Sequence, residues 1–117
     1  MEKITIRNMT KNVVIGSNFT LCNGVFSKFR GLMFTKNIEQ ALIFKFDKEK
    51  IISLHMLFVF YPIDVLFLDK NKIVVDIINC FKPFTLYNSK KKAMYAIEMP
   101  CGVINRSVTD IGDKIAF

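Results

Sequence analysis

A chain of 117 residues fits one domain, expected to span residues 1–117, and is long enough to bury a core without a metal or disulfide staple. With 51% hydrophobic residues, twelve Phe, five Gly and three Pro, the composition excludes a disordered or fibrous chain. Seventeen Lys and Arg against ten Asp and Glu give a net charge of +7, scattered except for Lys90, Lys91 and Lys92. That pattern reads as a solvated surface and makes a nucleic-acid function the less favoured expectation.

In chain order, "EKITIRN" alternates polar and apolar residues with Ile4 and Ile6 on one face, the period of a half-buried strand. "NVVIG" (Asn12 to Gly16) reads as a second strand and "NFTLC" as a third, closed by the turn dipeptide Asn23–Gly24. The period then changes. Val25, Phe26, Phe29, Leu32 and Met33 fall at helical spacing and predict a short helix ending near Phe34. "ALIFKF" (Ala41 to Phe46) predicts a strand, "DKEK" (Asp47 to Lys50) a turn, and "IISLHM" (Ile51 to Met56) the next strand. "IDVLFLD" (Ile63 to Asp69) and "IVVDIIN" (Ile73 to Asn79) are β-branched runs joined by "KNK", a hairpin signature. Cys80 to Lys92 is polar and irregular and predicts a long mobile loop. "AMYAIEM" (Ala93 to Met99) predicts a strand, "CGVINRS" a short helix, and "DIGDKIAF" a turn at Gly112 and Asp113 before a closing strand. Many short strands with one or two short helices imply an all-β, mainly antiparallel sandwich or barrel-like domain.

No run of about 18 uncharged apolar residues occurs, and the first residues lack an apolar leader core, so the reading is a cytoplasmic protein with no membrane span. The cysteines, Cys22, Cys80 and Cys101, are odd in number and widely spaced, and one histidine cannot complete a usual zinc set. Free buried thiols and no metal or other cofactor are therefore expected. A turn between Pro100 and Gly102 could expose Cys101 as a reactive thiol.

Three polar residues, His55, Asp64 and Arg30, stand in apolar surroundings. His55 is the sole histidine. A hairpin centred near Val59 and Phe60 would set it opposite Asp64, with β-carbons about 4.5–5.5 Å apart. The carboxylate would then fix the imidazole tautomer and favour its protonated form; the plainer reading is a buried structural hydrogen bond. Arg30, between Phe29 and Gly31, cannot shed its charge and needs an anion, a carbonyl or water. It could pair with Asp64 or Glu98, or hold a carboxylate or phosphate in a bidentate fork. Glu98 shares one strand face with Met94 and Ala96, while Tyr95, Ile97 and Met99 share the other; a solvated strand end before Pro100 explains Glu98, with participation in a site the alternative. Asp113 reads most simply as a turn residue. No phosphate-binding glycine loop and no G-x-S-x-G element occurs.

The segments "FRGLMF" (Phe29 to Phe34), "HMLFVFYPIDVLFLDKNKIVV" (His55 to Val75), "AMYAIEMPCGVI" and "IGDKI" together resemble the family called domain of unknown function 192, from about Lys28 to Ile115. Arg30, Gly31, Met33, His55, Pro62, Asp64, Glu98, Gly102, Gly112 and Asp113 match its pattern. The resemblance implies a compact β-sandwich or barrel-like domain with a minor helix, and no established activity. Many relatives read W-M-K-N-T after the histidine segment, where this chain reads L-F-V-F-Y from Leu57. Any role of that lysine or asparagine is absent or moved here.

The leading expectation is a non-enzymatic binding module that presents Arg30, His55, Asp64 and Glu98 to a small anionic or polar ligand or to a peptide. One rival is an enzyme with His55 as a general base held by Asp64. The other is an interaction module that docks a partner through Phe58, Phe60 and Tyr61.

Overall fold

The structure, a computed structural model, describes residues 5–17, 19–23, 41–55 and 61–117, with backbone alone at Cys22, Asn23 and His55. The expected helix at Val25–Phe34, with Arg30, and the aromatic residues Phe58 and Phe60 lie outside the described residues.

Ten strands and one short helix are described. They are β1 (Ile6–Asn8), β2 (Val13–Gly16), β3 (Phe19–Asn23), β4 (Ala41–Lys50), β5 (Ser53–His55), β6 (Ile63–Leu68), β7 (Val74–Phe81), β8 (Leu86–Asn88), β9 (Ala93–Pro100), α1 (Val103–Ser107) and β10 (Ile115–Ala116). A five-stranded sheet runs in the order β3-β4-β9-β6-β7, flanked by a three-stranded sheet β10-β1-β2 and a two-stranded sheet β5-β8. The sheets do not close into a barrel. All pairings are antiparallel except β3 with β4.

The five-stranded sheet is buried on both sides, which explains why β6 is a continuous buried run rather than an alternating one. On one face Phe44, Phe46, Val65, Phe67 and Ala96 pack with Ile52 and Leu54, so β5 covers that face. On the other, Ile43, Leu66, Leu68, Ile97 and Met99 pack with Ile6, Ile15, Ile104 and Ile115 from β1, β2, α1 and β10.

The expected "KNK" hairpin is present. The Asp69 N–H donates to the Ile73 carbonyl at 3.0 Å and the Lys72 N–H to the Asp69 carbonyl at 2.9 Å. Lys72 takes the left-handed conformation (φ 63°), and Asp69 Oδ1 accepts the N–H groups of Asn71 and Ile73. A three-residue loop ending in a left-handed residue is a common hairpin solution, and the Asp69 side chain holds it here.

Two expectations need correction. "DKEK" is not a turn but the end of β4. Its polar residues are tolerated because this end reaches solvent, where the Lys50 ammonium lies 4.7 Å from the Phe46 ring centroid and Glu49 accepts the Lys70 N–H. The span Cys80–Lys92 is not one long irregular loop. It contains the end of β7 and all of β8, and it is anchored at buried Ser89, which exchanges hydrogen bonds with Ile52.

Candidate functional site

The hairpin expected to join His55 to Asp64 does not form. β5 pairs with β8, setting His55 opposite Leu86, while β6 pairs with β7 and β9, setting Asp64 opposite Met99. Residues opposed on neighbouring strands share a face, and Met99 belongs to the cluster on the face remote from β5. Asp64 therefore projects away from the strand that carries His55, and the general base held by this carboxylate loses its geometry.

Asp64 has other work. It is fully buried (0% exposed) and its carboxylate accepts three backbone N–H groups. Oδ1 takes Cys80 at 2.8 Å, while Oδ2 takes Gly102 at 3.1 Å and Ile104 at 2.8 Å. Local sequence makes this possible. The β6–β7 ladder slips between Ile63 and Val65, so the Cys80 backbone (φ 49°) bulges towards Asp64. Beyond β9, Gly102 (φ 103°) turns the chain so that its own N–H and that of Ile104 converge on the same oxygen. A side chain at Gly102 would meet no neighbour, so the glycine is required by its positive φ rather than by space.

Cys80 and Cys101 form a disulfide, with α-carbons 4.9 Å apart. This corrects the expectation of free buried thiols: Cys80 is half-buried and Cys101 is exposed. One oxygen of Asp64 and the two sulfurs lie within 4.8 Å of one another. In the disulfide neither sulfur is a thiolate, so the cluster is not a ready metal donor set.

Glu98 lies on the opposite face. It pairs with Leu42 and Val65, residues of the β5-covered side, as the alternation along β9 predicts. The residue is 9% exposed beside apolar Leu42 and Val65, so it is not the expected solvated strand end: β9 is an inner strand, covered by β4 and β6. Asp64 and Glu98 thus do not converge. Of the interaction candidates, Tyr61 is partly buried against the same cluster as Phe44 and Val65.

Two further carboxylates, Asp76 and Asp113, are buried. Asp76, in the apolar run of β7, accepts the Tyr87 hydroxyl at 2.7 Å and the N–H groups of Lys90 and Ile77. An acidic residue within "IVVDIIN" was the available signal. Burial, followed by the hydrogen bond to Asp76, pushes the Tyr87 hydroxyl up to about 12. A raised value means stability that is complete below the usual tyrosine pKa of 10.0 and is lost as pH climbs towards 12. Tyr87→Phe is expected to cost about 1 kcal/mol at neutral pH, and the difference from the parent should fade in alkaline denaturant titrations.

Asp113 is more than a turn residue. One of its oxygens accepts from Asn8 at 2.9 Å, Lys11 at 2.8 Å and the Asp110 N–H at 3.0 Å. Asn8, fully buried, also donates to Thr109 Oγ1 and accepts the Lys11 N–H. The network ties the β1–β2 turn to the chain between α1 and β10. Among the described residues no buried side-chain nitrogen or oxygen lacks a partner.

The fold and these junctions define a β-rich domain in which the motif residues Asp64 and Asp113 fasten chain crossings. The model of the DUF192 family, described as "Uncharacterized ACR, COG1430", matches residues 7–117, and the chain belongs to that family. A UPF0127 protein of Thermococcus sibiricus is 40% identical over 110 residues, covering 92% of this chain and 71% of the relative. One from Thermococcus kodakarensis is 38% identical over 114 residues, covering 96% and 72%. The crystal structure of a protein of unknown function from Novosphingobium aromaticivorans superimposes with a TM-score of 0.84 at 20% identity, covering 97% of this chain and 82% of that one, a likeness of fold alone. No helix among the described residues is long and apolar enough to cross a membrane.

Proposed function

We propose that the chain acts as one domain and is a non-enzymatic binding module for a small anionic or polar ligand or a peptide. The site is centred on Glu98, on the face covered by β5, with Arg30 and His55 as the expected further contacts. The supporting observation is Glu98 itself, a carboxylate held in a largely apolar face between Leu42 and Val65. Asp64, Gly102 and Asp113 serve chain junctions, and Arg30 and His55 are the further contacts that the family pattern suggests. Asp64 is accordingly moved from ligand contact to support.

A cytoplasmic location fits this reading if the Cys80–Cys101 bond can be opened there, because lasting disulfides are rare in a reducing cytosol outside hyperthermophiles. Calorimetric titration with small carboxylates, phosphates and short peptides tests the binding. Arg30→Ala, His55→Ala and Glu98→Gln should each weaken a ligand at least about tenfold, the loss of one charge-assisted contact. Variants that fold and bind like the parent would refute the site.

A further inference from the structure

Apart from that face, the ends of β7 and β9 carry a second chemical group. We propose that Cys80 and Cys101 form a reversible thiol–disulfide exchange site that reacts with dithiols and is attacked at Cys101.

Access comes first. Cys101 is exposed at the turn after Pro100, while Cys80 is half-buried. Exchange needs an incoming thiolate to reach one sulfur in line with the bond, and Cys101 is the sulfur it can reach.

The second argument is that the bridge is redundant with its frame. Ile63 of β6 pairs with Phe81 on one side and Pro100 on the other, each adjacent to a bridge cysteine. Beside it, the buried Asp64 carboxylate accepts the N–H of Cys80 on one oxygen and those of Gly102 and Ile104 on the other. The pairing of β7, β6 and β9 and a buried carboxylate therefore hold both cysteine backbones in place whether or not the sulfurs are joined. Opening the bond leaves the thiols facing each other, ready to close again.

The chemistry balances without a metal. A thiolate of the external dithiol attacks Cys101 Sγ and forms a mixed disulfide. The Cys80–Cys101 bond breaks, and its electron pair leaves on Cys80 Sγ, which takes a proton. The second thiolate of the reagent then attacks its own sulfur in the mixed disulfide and releases Cys101, which takes the second proton. The protein gains two electrons and two protons, and the dithiol becomes a disulfide. Run forwards, these steps make the bridged protein an oxidant of dithiols; run backwards, they make its two thiols a reductant of disulfides.

Full-length protein is equilibrated without air in buffers of reduced and oxidised dithiothreitol, with no denaturant. It is then alkylated, digested and weighed, and circular dichroism is recorded on the same samples. The expected result is a reversible exchange of bridged for doubly alkylated Cys80 and Cys101, with the native spectrum kept throughout. A bond that opens only in denaturant, or a fold lost on reduction, overturns the proposal.

The order of attack is read in a Cys22→Ser background with 5,5′-dithiobis(2-nitrobenzoate). Cys101 in the Cys80→Ser variant should react at least about tenfold faster than Cys80 in Cys101→Ser, as exposure dictates. Equal or reversed rates overturn the assignment of Cys101. If either variant fails to fold, trapping glutathione on the parent and mapping the adduct decides the same point.

Discussion

Asp64→Ala is expected to lower the stability of the domain by about 3–5 kcal/mol, the largest effect of any single substitution considered. The substitution leaves three backbone donors, at Cys80, Gly102 and Ile104, facing a hole where an anion stood. Each stranded buried donor costs about 1–3 kcal/mol. Gly102 and Cys80 lie near solvent, so water recovers part of that cost; Ile104, which is buried, recovers least. Asp64→Asn should lose less, because its one carbonyl oxygen can still accept. Urea unfolding midpoints measure both. A ligand-contact role for Asp64 would give the contrary pattern: near-native stability with binding abolished.

Asp113→Ala should come second, at about 2–4 kcal/mol. The loss is smaller because the partners keep other contacts: Asn8 retains Thr109, and Lys11 retains Asp110 and the Val108 carbonyl. The pH dependence separates this charge from simple packing. Burial opposes ionisation of Asp113, but hydrogen bonds from Asn8, Lys11 and the Asp110 N–H, with the Lys11 charge, outweigh it and hold the carboxyl below its ordinary 3.8. A depressed value contributes stability that is present above the unfolded pKa and is lost as pH falls through the folded one. The gap between the parent and Asp113→Asn should therefore be full at neutral pH and shrink below about pH 4. A gap that stays constant into acid would show that the charge contributes nothing.

Much of the fold was legible in local pattern. Alternation along "AMYAIEM" correctly separates Glu98 from Met99, and the β-branched runs around "KNK" give the β6–β7 hairpin with the Asp69-supported turn. What failed was partner choice. Local spacing sets His55 opposite Asp64 only where a strand folds back on its sequence neighbour. Instead β6 is claimed on both sides by β7 and β9, and β5 finds β8, about thirty residues on, inside a segment whose polar composition reads as loop. Such choices are made by which faces must be buried together, and no short window contains that information.

The candidate site shows the same division. The apolar surroundings of Asp64 flagged a residue that matters, but not why. Its partners are backbone N–H groups, present at almost every position and so invisible in a sequence. The bridge was hidden too, because cysteines 21 residues apart in a chain with an odd third carry no connectivity signal. Asp113 looked like an ordinary turn residue because its partners Asn8 and Lys11 come from the far end of the chain.

Asp64 is best described as a clamp that fastens the bulge at Cys80 to the turn at Gly102. Amide hydrogen exchange, resolved by residue, tests that directly. In the parent, the amides of Cys80, Gly102 and Ile104 should exchange slowly, and in Asp64→Asn their protection should fall well beyond that of the β6–β9 ladder. Unchanged protection at all three in a folded Asp64→Asn protein would contradict it.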